Sequence, residues 1–272
     1  MIKLLFILNS IVCRPDSVVQ VQLKMIDTIP RASEMITTDQ LGNLYLIKGS
    51  TVTKYNIKGD SVFTQNFNTI RNIEFFDASQ ALKIYALNFS FNTLIILDNT
   101  LSAQNKAISF DKIPVDQVSL LCASNFNNSM WVFDAVNLKL VRLDQNFAVT
   151  NSSVNFYSHA DLAGVPNYMV ENENQLYINI PENGIKVFNQ YCNFVKNIPI
   201  KPEKKFVVRN QKIYYLEGGK IKYYAAYDLT SFDLEGEIKT PINDIEDFSI
   251  EKNRLYIKKG NNIFVMKGEM DF

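Results

Sequence analysis

An aromatic residue recurs six times in the same strand-like setting. These are Tyr45 in Leu-Tyr-Leu-Ile, Tyr85 in Ile-Tyr-Ala-Leu, Trp131 in Met-Trp-Val-Phe, Tyr177 in Leu-Tyr-Ile-Asn, Tyr214 in Ile-Tyr-Tyr-Leu and Tyr256 in Leu-Tyr-Ile-Lys. The successive spacings are 40, 46, 46, 37 and 42 residues. A second marker keeps phase with the first: a short turn and another strand follow each aromatic, at 52–56, 94–98, 138–144, 185–189, 221–224 and 263–267. Several of these strands end on Asn or Asp, which can close a turn with its side chain and tolerate left-handed backbone. A period of roughly 40–45 residues with several short strands per unit is that of a β-propeller. An irregular β-sandwich, which also uses many short strands, is the competing arrangement.

The period therefore predicts an all-β chain, a six-bladed β-propeller with four-stranded blades. The first five blades fall at 33–67, 72–110, 117–156, 167–200 and 204–240, and the sixth starts near residue 245. The sixth supplies only three strands before the sequence stops. Near the other end, Val19-Gln-Val-Gln-Leu-Lys-Met-Ile26 alternates apolar and polar residues, as a half-buried strand does. A ring of blades must close and hide its edges. Residues 20–29 are therefore expected to form the outer strand of the last blade, so that 19–272 is one domain.

Composition narrows the function classes. Lys+Arg and Asp+Glu are equal at 28 each, so there is no overall electrostatic attraction for nucleic acid or anionic membranes. Past the N-terminus, no run approaches the roughly 18 apolar residues of a spanning helix. The start, Met1-Ile-Lys-Leu-Leu-Phe-Ile-Leu, has a lysine, an apolar run and then the polar Arg14-Pro-Asp-Ser17, and residues 1–18 read as an export signal. Cys13, Cys122 and Cys192 form no CxxC pair, so no zinc or redox motif is suggested. Cys122 and Cys192 are expected to be free, buried thiols.

Function on a rigid scaffold tends to lie in its loops. In an antiparallel four-stranded blade, the hairpins joining strands two and three share a face with the connections between blades. Most of these hairpins are small and polar. The exception is Phe89-Ser-Phe91, which either packs back on the core or awaits a partner. Two inter-blade connections, 111–116 and 157–166, are long and flank the neighbouring blades. The face over blades two to four is therefore the candidate contact surface, with Phe89, Phe91, Ile113, Val136, Tyr157, His159 and Leu162 as candidate contact residues.

Little else in the sequence carries chemistry. His159 is the only histidine and has no nucleophile motif to serve. Asp39, Asp77, Asp98, Asp134 and Asp144 invite a paired-carboxylate reading, but each sits at a strand end, where Asp serves local turns. Gly218-Gly219 is a hairpin, with no helix after it to make a phosphate site. The tyrosines at 214, 215, 223, 224 and 227 fit cross-strand pairing. No catalytic residue, metal site or cofactor is indicated, and a non-enzymatic role is expected.

Units such as Thr-Thr-Asp-Gln-Leu-Gly-Asn-Leu-Tyr-Leu and Val-Thr-Lys-Tyr-Asn-Ile-Lys-Gly resemble those of short propeller proteins of Bacteroidota-type bacteria. A lone propeller behind an export signal, with no catalytic set, resembles the plug subunit of the type 9 secretion translocon. That resemblance implies a periplasmic, outer-membrane-associated protein that binds the inner end of a large outer-membrane β-barrel and obstructs its pore. Two other classes stay open: a carbohydrate- or peptide-binding propeller, and a propeller hydrolase or lactonase.

Overall fold

The computed structural model describes residues 23–226, 233–268 and 272; residues 1–18, the stretch read as an export signal, Cys13 and Tyr227 lie outside them. Strand β1 (Leu23–Ile29) comes first. Blade 1 is β2 (Met35–Thr38), β3 (Leu44–Lys48), β4 (Thr51–Tyr55) and β5 (Ser61–Asn66). Blade 2 is β6 (Phe75–Asp77), β7 (Ile84–Asn88), β8 (Thr93–Leu97) and β9 (Ile108–Ser109). Blade 3 is β10 (Val118–Ala123), β11 (Met130–Asp134), β12 (Lys139–Leu143) and β13 (Val149–Ser152). Blade 4 is β14 (Tyr168–Asn172), β15 (Gln175–Ile180), β16 (Gly184–Phe188) and β17 (Phe194–Ile198). Blade 5 is β18 (Phe206–Arg209), β19 (Lys212–Glu217), β20 (Lys220–Ala226) and β21 (Asp233–Glu237). Blade 6 is β22 (Asp247–Glu251), β23 (Arg254–Lys259) and β24 (Asn262–Gly268). Its fourth strand is β1, which pairs antiparallel with β24 from Leu23↔Gly268 to Ile29↔Ile263. The chain is thus a six-bladed β-propeller closed by its N-terminal strand.

The repeating aromatics explain why the blades pack. Alternation along β3 sends Tyr45 and Ile47 toward blade 2 and Leu44 and Leu46 toward blade 6. The other markers behave alike. Tyr85 packs against blade 3, Trp131 against blade 4, Tyr177 against blade 5, Tyr214 against blade 6 and Tyr256 against blade 1. Among the described residues the buried apolar side chains fall into one cluster per blade interface, around the whole ring. Each buried aromatic or branched aliphatic side chain contributes about 1.5–3 kcal/mol of transfer free energy. The phase of the repeat is therefore the phase of the inter-blade core.

The turn residues follow the same rule. Asn56, Asp98, Asp144 and Asn189 each accept, on one side-chain oxygen, the backbone N–H groups two and four residues on, at 2.8–3.1 Å. Asp39 does the same between β2 and β3, for Leu41 and Asn43. Its second oxygen accepts from the Tyr45 hydroxyl at 2.8 Å, and Tyr45 is held protonated by burial and then by this carboxylate. These five turns share one face of the disc. The opposite face carries the hairpins between second and third strands and the inter-blade connections.

Candidate functional site

On that opposite face, loops from three blades are joined by side-chain amides into one continuous strip. Asn92, in the blade 2 hairpin, donates from Nδ2 to Asp111 Oδ1 at 2.6 Å. The loop that follows ends in Asp116, whose Oδ2 accepts from Asn137 Nδ2 at 2.6 Å in the blade 3 hairpin. Asn155 Nδ2 then donates to the Asn137 carbonyl at 2.8 Å. Finally, Asn183 Nδ2 in the blade 4 hairpin donates to the carbonyls of Asp161 and Ala163, both at 3.1 Å.

The strip fixes where each candidate contact residue points. Phe91 is half-exposed, its backbone N–H held by Asn88 Oδ1 at 2.7 Å and the Arg71 guanidinium 4.6 Å above its ring. Val136 is exposed on a hairpin whose N–H groups are taken by Asp134. Burial would push the Asp134 carboxyl up, but hydrogen bonds from Asn137, Asp116 and Val136 outweigh it and hold it below the usual carboxylate range. Tyr157 is exposed on a 3-10 turn, Phe156–Ser158, capped by Asn155 Oδ1. His159 is exposed as well; its Nδ1 accepts the Asp161 N–H at 3.3 Å and caps the next turn.

Three of the seven residues leave the surface. Ile113 and Leu162 are buried in the clusters between blades 2 and 3 and between blades 3 and 4. They anchor their loops from beneath and are not available to a partner. Phe89 turns back, half-buried, with its ring 6.4 Å from Phe75. Val154 and Val165 are exposed on the same connection as Tyr157, and sequence reasoning did not single them out. Their signal was an apolar residue beside polar or proline neighbours in a loop.

The channel down the propeller axis offers a second site. Phe75 and Tyr168 face each other at 6.5 Å, and Tyr168 meets Phe206 edge-on at 5.1 Å. Lys205 reaches inward, with Nζ 2.6 Å from the Ile36 carbonyl and 3.0 Å from Asp247 Oδ1. These groups divide the channel into two cups. One, of about 450 Å³, opens on the hairpin face, and the other, of about 350 Å³, on the turn face. Tyr168 lines both, and burial, then Asp77, Cys122 and Asp247, keep its phenol protonated.

The turn-face cup is polar, but three of the carboxylates that line it, Asp77, Glu171 and Glu251, are engaged in joining blades, and the fourth, Glu173, is exposed. Asp77 accepts the N–H groups of Ser79 and Ala123 at 2.8 and 2.7 Å. Glu171 accepts Asn125 N–H at 2.7 Å and the Trp131 indole N–H. Glu251 pairs with Arg209 at 3.0 Å, and burial still raises its carboxyl despite that cation. Asp39, Asp98, Asp134 and Asp144 all accept local N–H groups, as the turn reading expected. Among the described residues no group of three or more His, Cys, Asp and Glu is arranged to hold a metal ion. Cys122 and Cys192 are free and buried.

The hairpin-face cup has a rim that sequence reasoning missed. A carboxylate just before the inner strand accepts the hairpin N–H of its own blade: Glu34 from Gly49, Glu74 from Phe89 and Ser90, Glu203 from Gly218, and Glu246 from Gly260. Acid and hairpin are 15, 15, 15 and 14 residues apart, and that near-constant separation was the available signal.

The class is that of six-bladed, four-stranded β-propellers, and solved structures share the fold. Virginiamycin B lyase from Staphylococcus aureus superposes with a TM-score of 0.60 at 11% identity, covering 91% of this chain and 99% of that one. XC5397 of Xanthomonas campestris, described as a gluconolactonase, gives 0.61 at 12% identity, covering 91% and 90%. The Pan2 WD40 domain of Neurospora crassa gives 0.56 at 9% identity, covering 92% and 96%. No family model matches the chain, and no curated protein matches it.

Proposed function

We propose that this propeller is a non-catalytic interaction module that docks another protein on the face over blades 2–4. The observation that carries this reading is the hydrogen-bonded strip. It holds Phe91, Val136 and Tyr157 outward on loops whose backbone is already fixed. An exposed apolar group on a pre-ordered loop loses little further entropy on binding, which favours a protein interface. Asparagines and carboxylates surround these apolar groups, as a polar rim surrounds an interface core.

The partner follows from the resemblance to the type 9 secretion plug: a large outer-membrane β-barrel, met from the periplasm. A rigid disc without net charge suits mechanical obstruction of such a pore. The test is an affinity pull-down of the tagged protein from solubilised native envelope, beside the variant Phe91→Ser/Val136→Ser/Tyr157→Ser. All three changes fall on exposed side chains, so the melting temperature should hold within a few degrees. The wild type should recover one very large barrel in stoichiometric amount, and the variant should lose it. Wild-type protein recovered alone would end the barrel reading and turn attention to the lactone and lyase chemistry of the structural neighbours. Equal recovery by the variant would move the interface to another face.

A further inference from the structure

The hairpin-face cup lies outside the contact strip, and its lining combines two features that select one ligand chemistry. Its floor is aromatic, made by Phe75 and Tyr168, and its walls are Met35, Ile36, Leu216 and Ile245. A volume of about 450 Å³ falls within the range of small-ligand sites. Its rim is acidic. Asp247 is neutralised by Lys205 and Glu246 by Lys258. Glu34, Glu74 and Glu203 have no cationic partner among the described residues; backbone and hydroxyl donors orient them without cancelling their charge. Lys204 is the other cation of the lining, and it is exposed.

We propose that this cup binds an organic ammonium ion, its apolar body on Phe75 and Tyr168 and its charge facing Glu34, Glu74 and Glu203. The aromatic rings offer a large apolar surface on which the body of such a ligand can be buried. The carboxylates of Glu34 and Glu203, exposed, and of Glu74, half-buried, supply the charge complement above the apolar floor, an attraction that salt screens. The wall already holds one such group, because the Lys205 ammonium rests on a carbonyl and a carboxylate there. A neutral ligand of the same shape would leave the rim charge unanswered, and an anion would be repelled. The ammonium can belong to a free amine or to a lysine side chain of a peptide.

Calorimetric titration of the whole protein distinguishes these sources. The probes are phenethylammonium with phenethyl alcohol as its neutral counterpart, and acetyl-Phe-Lys-Phe-amide with acetyl-Phe-Gln-Phe-amide as its own. At least one cation should bind several-fold tighter than its counterpart, and it should weaken as salt rises from about 20 to about 200 mM. The tighter of the two cations names the source. In Glu34→Gln/Glu203→Gln each glutamine keeps an oxygen for the Gly49 or Gly218 N–H, so the hairpins stay capped. Affinity should still fall about two- to fivefold per charge removed. Phe75→Leu should weaken binding too, and the rim variant stands alone if that protein does not fold. Equal binding of cation and counterpart, no binding of either cation up to about 10 mM, or unchanged affinity in the rim variant would overturn the proposal. The rim and the contact strip share no substituted residue, so either reading can fail without the other.

Discussion

Three of the turns between third and fourth strands place a non-glycine residue in left-handed backbone: Leu101, Phe147 and Cys192, at φ 64°, 65° and 63°. That conformation costs roughly 1–2 kcal/mol in a residue with a Cβ. Two effects offset it. The side chains of Leu101 and Cys192 drop into the inter-blade core, and the Asn or Asp three residues earlier ties down two N–H groups. Burial pushes the Cys192 thiol up to about 12, so this cysteine serves packing and not reactivity. Because Asn56 and Asn189 do the same work as Asp98, Asp98→Asn should be nearly neutral, whereas Asp98→Ala should cost about 1–2 kcal/mol, read by denaturant unfolding. A pH signature accompanies this. The Thr100 hydroxyl bond, against slight burial and with backbone N–H donors and Lys54 adding to it, holds the Asp98 carboxyl below the usual carboxylate range. A depressed carboxyl contributes stability that is full above its unfolded value of about 3.9 and lost as pH falls through the folded one. The stability of wild type relative to Asp98→Asn should therefore be flat from about pH 7 to 5 and decline below about pH 4.

Between elements, the same turns act as sockets for the preceding blade. Lys54 donates to the Asn99 carbonyl and Arg142 to the Gln190 carbonyl, both at 2.7 Å, and Arg254 donates to that of Ile57. In each case the acceptor is the residue just after the turn-closing Asn or Asp. Arg142 is the most committed of these cations. Buried on β12, it also donates to Ser129, Ser124 and Phe126 and lies over the rings of Phe126 and Trp131. Arg142→Ala should destabilise by about 3 kcal/mol, since it empties a buried site and strands several acceptors. Arg142→Lys should fall in between, because one ammonium cannot reproduce the planar fork. Trp131 is the only tryptophan, so its emission reports directly on whether blades 3 and 4 stay joined. Emission shifting equally in both variants would argue against the fork. The strands behind these ties were legible in sequence, because aromatic and turn residues recur wherever a blade needs a core side chain and a closed turn. The loops were not. Phe156 and Tyr157 are adjacent in one 3-10 turn, yet one is fully buried and the other exposed, and a single turn has no period to read. Ile113 and Leu162 were misjudged as surface residues for that reason. The acidic rim was missed because each acid looks like any polar residue before a strand until the hairpin fifteen residues on is brought beside it.

At the scale of the ring, everything depends on how blade 6 meets blade 1. The inner strands join by Asp247, which takes the Ile36 N–H at 3.0 Å and the Lys205 ammonium, and by the 2.8 Å contact of the Thr38 and Ser249 hydroxyls. The outer edge is closed by β1, whose ladder covers β24 and whose Ile29 seals the cluster holding Ile263 and Val265. These two closures are separable in principle. If the inner bonds suffice, removing β1 would only fray an edge. If the ladder is required, its loss bares the full length of β24, whose unpaired N–H and C=O groups invite pairing with other chains, and opens the last apolar interface to water. The second outcome is expected. The ladder pairs six of the seven residues of β1, with a bulge at Ile26, and these are backbone groups that the inner contacts do not touch. A chain starting at residue 33 should aggregate or melt well below the intact protein. A synthetic peptide of residues 19–32 added during refolding should restore soluble protein, since β1 is held against β24 by ladder hydrogen bonds and packing that do not need its covalent link to blade 1. An unchanged melting temperature without the peptide would mean that the inner strands close the propeller by themselves and that β1 is only an edge cover.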